Sequence, residues 1–394
     1  MNNYTAGSTP WFAIVGQISE VDIKGIKSIG NNALNGFSQI KSLTLPESIL
    51  KIGSNSFASC TLLTTLYYPI SIVSHQIDAF TGCTGLTKVI ITGNGDMQSY
   101  AADYQPWYAV RDKITTIDFE STITSVGKYA FEKSTGLKTI TSWGGITKID
   151  NCAFFGCSSL PSISIPNNVK TLGTNVFEGC SSVTSLTIGT GLDTISANAF
   201  KDCTSLPAVT LPSNIKTINA NAFSGCSKVS SLNLGSVVTI NQQAFASCNA
   251  LITLNLPLTV NKINDKAFLN CINLATVNYP ASVTTAATTT FNGCTALKTI
   301  NIIGSGAMQS YANGQPWSGV IGQITKVTFG ADVTTVGAHA FKGGKLITSI
   351  TWGGITTVDT YAFSQCIAIK SVELTNTKVV TLNSYAFSGC TGYS

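Results

Sequence analysis

The chain is poor in charge. Of its 394 residues only 10% are Asp, Glu, Lys or Arg, and a single one, Arg111, is arginine. The net charge of +5 comes from scattered lysines, with no basic block anywhere. Nucleic-acid readers gather Lys and Arg on one face, so no nucleic-acid partner is expected. Histidine is scarcer still. His75 and His339 are the only two and lie far apart in sequence, which removes most sites built on imidazole. Long apolar runs are also missing. Hydrophobic residues make up 44% of the chain, yet none of their runs reaches the roughly 18 that a membrane helix needs. Disorder requires the opposite balance, few apolar residues and much charge. Residues 1–17 hold no basic stretch followed by an apolar one, so no standard secretory signal is visible. No segment sustains the i, i+3, i+4 apolar stripe of a regular helix.

What is there is a repeat. Residues 160–180 read Leu160, Ile163, Ile165, Pro166, Val169, Leu172, Gly173, Val176, Phe177, Cys180, and the next copy follows the same pattern to Phe200 and Cys203. The ring marker recurs at Phe131, Phe154, Phe177, Phe200, Phe223, Phe245, Phe268 and Phe291, in steps of 23 residues with one of 22. Leu34, Phe57 and Phe80 precede these markers, and Phe341, Phe363 and Phe387 follow them. A unit of this size cannot bury its own apolar face, whereas stacked units bury a continuous core. Ile163 and Ile165 are two apart and point inward on a strand, while Ser162 and Ser164 point outward. Pro166 ends the strand because it cannot donate to a ladder. The Val-x-x-Ile stretch makes a second short strand. Gly53, Gly127, Gly173 and Gly337 suit the corner after it. Ala-Phe-x-x-Cys is a tight turn. The expected architecture is a mostly β, right-handed curved solenoid with a parallel concave sheet. It has about 16 rungs of about 23 residues, from near Ile18–Ile23 to near Ile369–Leu374. Residues 1–394 are taken as one domain.

Two rungs break the pattern alike. Met97–Tyr100 and Met308–Tyr311 both read Met-Gln-Ser-Tyr, and Pro106–Trp107 and Pro316–Trp317 follow them. These define Pro-Trp insert modules near 93–113 and 304–323. Pro10–Trp11 marks a partial third at 1–17. Both ends of the chain fall inside a repeat, which suggests a longer array.

The string Cys-x-x-Leu-x-x-Ile-x-Ile-Pro-x-x-Val-x-x-Ile-Gly-x-x-Ala-Phe-x-x-Cys resembles the BspA-like leucine-rich repeat family. Cys157, Leu160, Ile163, Ile165, Pro166, Val169, Leu172, Phe177 and Cys180 carry the resemblance. It implies a leucine-rich repeat solenoid. It also implies kinship with surface proteins of bacteria and protozoan parasites that are associated with adhesion to host matrix, host cells or other microbes. A cell-surface or extracellular location follows from the resemblance, while the missing signal leaves a cytoplasmic one open.

Chemistry is thinly represented. Eleven of the twelve cysteines stand three residues after the ring marker (60, 83, 157, 180, 203, 226, 248, 271, 294, 366 and 390), and Cys152 lies off this file. The spacing is the repeat period, so a file of small buried thiols explains it. Cross-rung disulfides have permissible spacing. No Cys-x-x-Cys pair with zinc spacing exists, and no metal or cofactor is expected. Gly93–Asp96 and Gly304–Ala307 lack the Lys-Ser/Thr of a phosphate cradle and read as loop turns. No nucleophile–base set or carboxylate pair is arguable, so no enzyme is expected. Trp11, Trp107 and Trp317 read as core plugs of the inserts.

The remaining candidate is the outward, concave face. It carries Thr65 and Tyr67, Thr139 and Thr141, Ser162 and Ser164, Ser185 and Thr187, and Thr210 beside Ala208. Ser231 and Asn233, Thr253 and Asn255, Thr276 and Asn278, and Thr299 and Asn301 continue it. Lys88 and Ile90, Ser349 and Thr351, and Ser371 and Glu373 occupy the same slots in other rungs. This hydroxyl-rich carpet is read in two ways, as strand-stabilising β-branched residues or as a broad contact surface for a protein or glycan; the resemblance implies that such a partner belongs to a host or neighbouring cell surface. Two other readings stay open. One is a carbohydrate-binding module using Tyr67, Tyr68 and the insert tryptophans. The other is an intracellular interaction scaffold. Oligomeric state is not legible.

Overall fold

The alternation of Ser162–Ile165 appears directly in space: Ser162 and Ser164 are exposed, Ile163 and Ile165 buried. The computed structural model describes residues 1–394 except 313, 371, 373–377 and 392–394. Most described repeats supply a longer strand and a second strand of two to five residues, and these pair in parallel with the corresponding strands of neighbouring repeats. The result is a parallel β-solenoid of about fifteen turns, close to the sixteen expected, with almost no helix. Three short 3-10 turns are the only helical segments among the described residues, at Phe12–Gln17, Tyr108–Val110 and Ile321–Gln323. Each comes shortly after a Pro-Trp pair.

The chain divides into two compact units, Met1–Thr184 and Ser185–Ser394. In the first, the longer ladder runs Ser42–Thr44, Thr65–Pro69, Lys88–Thr92, Thr116–Phe119, Thr139–Trp143. Its shorter ladder runs Gly95–Asp96, Ile123–Val126, Lys148–Ile149, Thr171–Leu172. In the second, the longer ladder runs Thr253–Asn255, Thr276–Pro280, Thr299–Ile303, Lys326–Phe329, Ser349–Thr351. Ala208–Thr210 pairs with Ser231–Asn233 alongside it.

The third side of every repeat is a turn, and its chemistry is backbone chemistry. The residue two before the ring marker is left-handed in most repeats, as at Asn55, Tyr129, Asn175, Asn198 and Asn221, with φ between 51° and 58°. The residue two after it is left-handed as well: Ser59, Lys133, Asp202, or a glycine such as Gly179 and Gly225. Asn and Gly tolerate this region best, which accounts for their frequency in these slots. Gly127 and Gly337 answer a different need. Neither is left-handed. A Cβ on them would overlap the backbone carbonyls of Gln98 and Gln309 on the preceding turn.

The core is a file of rings. Phe131 stacks on Phe154 and Phe154 on Phe177, at 5.5 and 5.3 Å with planes within 12°. In the second unit Phe200, Phe223, Phe245, Phe268 and Phe291 stack at 5.2–5.6 Å. All of these rings are buried.

Three expected segments differ. Ile18–Ile23 forms no strand. Only Ile23 of it is buried, which is too little apolar contact to hold the segment in ladder register. Gly93–Asp96 and Gly304–Ala307 are not plain turns. Gly95–Asp96 and Ser305–Ala307 join the shorter ladders, each with a bulge in register, which glycine's freedom at φ +114° (Gly95) and +85° (Gly306) permits. The last expected strand, near Ile369–Leu374, falls partly outside the described residues.

Candidate binding faces

Strand alternation positions the candidate face, since residues two apart share one side of a sheet. In the first unit Thr139, Thr141, Ser162 and Ser164 are exposed, while Thr65 and Tyr67 are half-buried. In the second unit Ser185, Thr187, Thr210, Ser231, Asn233, Thr253 and Asn255 are exposed. Thr276, Asn278, Thr299 and Asn301 are half-buried. The half-buried ones sit on the five-residue strands before each insert. Ser349 and Thr351 are exposed. Ile90 is a correction: it is only 9% exposed, in register between Tyr67 and Asp118 on the neighbouring strands. Ser371 and Glu373 lie outside the described residues.

Part of this face is cross-linked by its own amides. The Asn278 side chain donates from Nδ2 to Asn255 Oδ1, and Asn301 Nδ2 donates to Asn278 Oδ1 at 2.7 Å. A second amide ladder runs along a corner. Asn241 Nδ2 donates to Asn219 Oδ1 at 3.0 Å, and Asn264 Nδ2 donates to Asn241 Oδ1. With Ala197, Ala220, Gln242 and Asp265 it lines an open groove of about 570 Å³. Neither ladder was identified by sequence reasoning. The available signal was Asn in one slot of three successive repeats.

The insert tryptophans are not ligand platforms. Trp107 and Trp317 are 0% exposed. Each takes the place of a phenylalanine in the ring file, Trp107 stacking on Phe131 at 4.9 Å and Trp317 on Phe341 at 5.1 Å. Their indole N–H groups donate to Ala130 O and Ala340 O, at 3.0 and 2.8 Å. Tyr68 and Tyr279 are buried edge-on against them. A carbohydrate site made of Tyr68 and these tryptophans is therefore closed, because folding spends their faces on the core. Trp11 is half-buried, edge-on to Tyr4 and Phe37. The first insert also carries the lone arginine. Arg111 reaches Asp103 at 2.6 Å and Lys133 reaches it at 3.0 Å, so the Asp103 carboxyl is held below its usual range. Buried Glu132 accepts the Asp103 N–H and the Gln105 amide. His339 sits in the left-handed turn slot and stacks on Tyr361 at 5.1 Å.

The cysteine file is a set of free, mostly buried thiols. File thiols donate to the carbonyl of the marker residue one turn back, as Cys157 to Phe131 O at 3.2 Å and Cys271 to Phe245 O at 3.2 Å. Burial pushes the Cys226 and Cys366 thiols up to about 12. A thiol that stays protonated and out of water is a poor nucleophile. Cys152 and Cys390 alone among the twelve are half-buried. Iodoacetamide labelling of the native protein at pH 8 should therefore modify these two first. Denaturant without reductant should release about twelve, the full sequence count. Fewer than about eight in denaturant would mean disulfides.

Among the described residues no group of His, Cys, Asp and Glu could hold a metal ion. Among the described residues no helix is long and apolar enough to cross a membrane.

A family model described as a BspA type leucine rich repeat region matches residues 10–103, 107–230, 216–312 and 320–394, in six copies. No curated protein matches the chain. A leucine-rich repeat protein of Bacteroides ovatus is 17% identical over 94% of this chain and 83% of its own, with a TM-score of 0.47. A leucine rich cell surface protein of Faecalibacterium prausnitzii is 24% identical over 73% of this chain and 87% of its own, with a TM-score of 0.40. The pneumococcal vaccine antigen PcpA is 15% identical over 83% of this chain and 86% of its own, with a TM-score of 0.39.

Proposed function

Because the chain belongs to the BspA-type leucine-rich repeat family, we propose that it is an adhesion or protein-interaction protein, not an enzyme, acting outside the cell or on its surface. Its partner is a macromolecule of host matrix or a cell surface, bound on the outward face of the longer strands. The observation that carries this reading is the run of exposed Ser185, Thr187, Thr210, Ser231, Asn233, Thr253 and Asn255 in the second unit. Repeats stack such positions side by side into one broad surface. The surface offers donors and acceptors at every turn and no formal charge.

That lack of charge sets the test. Exposed ionic contacts are screened over about 8–10 Å at physiological salt, so charge-driven attachment weakens steeply as salt rises. Attachment through hydroxyls and amides does not. Surface plasmon resonance against a panel of matrix proteins, in 50 and 300 mM NaCl, should give micromolar binding that changes less than about threefold, or under about 0.7 kcal/mol. Display of many copies should strengthen it through avidity. A loss of tenfold or more over that salt range would assign attachment to the lysines and overturn the proposal.

A further inference from the structure

We propose that His75 is an acid-sensitive latch on the first insert, holding the segment Ala101–Tyr104 against the turn that carries His75 only while its ring is neutral. His75 is 5% exposed. Its Nε2 lies 2.9 Å from Tyr104 O, so the neutral ring donates Nε2–H to that carbonyl. The ring packs edge-on to Tyr100 at 5.2 Å and against Tyr104 at 5.3 Å. Its Nδ1 is buried with no partner. In the neutral ring this atom is a bare lone pair. In the protonated ring it is a charged N–H facing no acceptor, and a buried charge without a partner is far costlier than a buried lone pair.

The surrounding charges offer no relief. Asp78, on the same turn, accepts the Ser54 hydroxyl at 2.6 Å through Oδ2, and its Oδ1, buried without a partner, makes no hydrogen bond to the ring. Asp103 is held by Arg111 and Lys133. On the turn before, Lys51 pairs with Ser74 through the backbone. On the turn after, Lys128 lies over Tyr129. Tyr100 is buried and its hydroxyl is pushed up by that burial. Burial, set against the Tyr104 carbonyl, lowers the His75 pKa from 6.5. A base whose folded pKa is depressed contributes stability that is complete above its unfolded value and fades as pH falls below it. The latch therefore holds at pH 7.5 and loosens through the range below 6.5.

The chain contains its own control. The second insert keeps Met308, Tyr311, Gln315 and Trp317 where the first has Met97, Tyr100, Gln105 and Trp107. It has Ala286 in the place of His75 and Gly314 in the place of Tyr104. Both halves of the latch are missing together, so neither is needed to build an insert. Beside the latch lies an opening of about 200 Å³ lined by Ser74, Gln76, Gln98 and Ser99.

Hydrogen–deuterium exchange of the whole chain at pH 7.5 and 5.0, corrected for intrinsic rates, tests this. The amides of residues 101–105 should exchange about tenfold faster at pH 5.0, while those of 308–315 keep one rate. His75→Gln can still donate to Tyr104 O but cannot titrate, so its first insert should lose the pH dependence. Equal exchange at both pH values, an equal rise in the second insert, or a rise that persists in His75→Gln would each overturn the latch. If that variant does not fold, the imidazole resonance of His75 in the parent decides. Its titration should coincide with opening of the insert. A ring that titrates while the insert stays closed refutes the proposal.

Discussion

Replacing Cys226 by aspartate should unfold the turns around it. Cys226 is fully buried, and its thiol donates to Phe200 O at 3.2 Å. An aspartate there would aim a buried carboxylate at a carbonyl, acceptor against acceptor. A buried ion left without a partner costs about 3–5 kcal/mol, a large share of a domain's total stability. Each turn is stabilised by its two neighbours, so the loss spreads to the turns holding Phe200 and Phe245. Cys226→Ala removes only the weak S–H donor and a small volume. Phe200 O still accepts the Cys203 N–H at 3.3 Å, so this change should cost about 1 kcal/mol. Urea denaturation followed by far-ultraviolet circular dichroism separates the two. If Cys226→Asp melts with the parent, the sulfur file is not where the fold places it.

What made this file legible was that one period equals one turn. A residue every 23 positions must stack on itself, so the Phe and Cys markers announced their own neighbours. Outward Ser, Thr and Asn followed from alternation. Features made between turns were not legible. That Gln98 O presses on Gly127 depends on how close two turns pass, and Gly127 by itself reads only as a flexible corner. The Asn255–Asn278–Asn301 ladder needs side chains from three turns to align. Trp107 and Trp317 were read correctly as core, whereas Trp11, read the same way, is half-buried. That Trp107 continues the ring file was hidden because its steps, 27 residues from Phe80 and 24 to Phe131, break the period. Tyr68 was misjudged for a related reason. The strand Thr65–Pro69 is two residues longer than Ser42–Thr44 before it, and its extra length carries Tyr68 inward beneath Trp107. The left-handed slots explain why Asn stands two residues before the ring marker at 32, 55, 175, 198 and 221, a pattern visible in sequence but without a visible cause.

The triple variant Ser185→Lys, Thr210→Lys, Ser231→Lys should lose attachment while keeping its fold. All three side chains are exposed on the longer strands of the second unit. Exposed substitutions away from special backbone positions usually change stability by no more than about 0.5 kcal/mol, and none of these three is left-handed. Long ammonium side chains would stand where short hydroxyls now lie. A partner seated on that face would have to displace them or bury their charge, and burying a charge without a counterion costs several kcal/mol. Against micromolar binding, about 8 kcal/mol, a penalty of about 4 kcal/mol from the three together would leave millimolar binding, below detection on a sensor surface. Unchanged circular dichroism and melting, with attachment gone, is the expected result. A folded triple variant that adheres like the parent would show that the outward face is not the site. The insert tryptophans cannot then take over the role, since both are sealed in the core. The open corner groove along Asn219, Asn241 and Asn264 would be the place to mutate next, because it is the other surface on which side-chain amides from successive turns line up toward solvent.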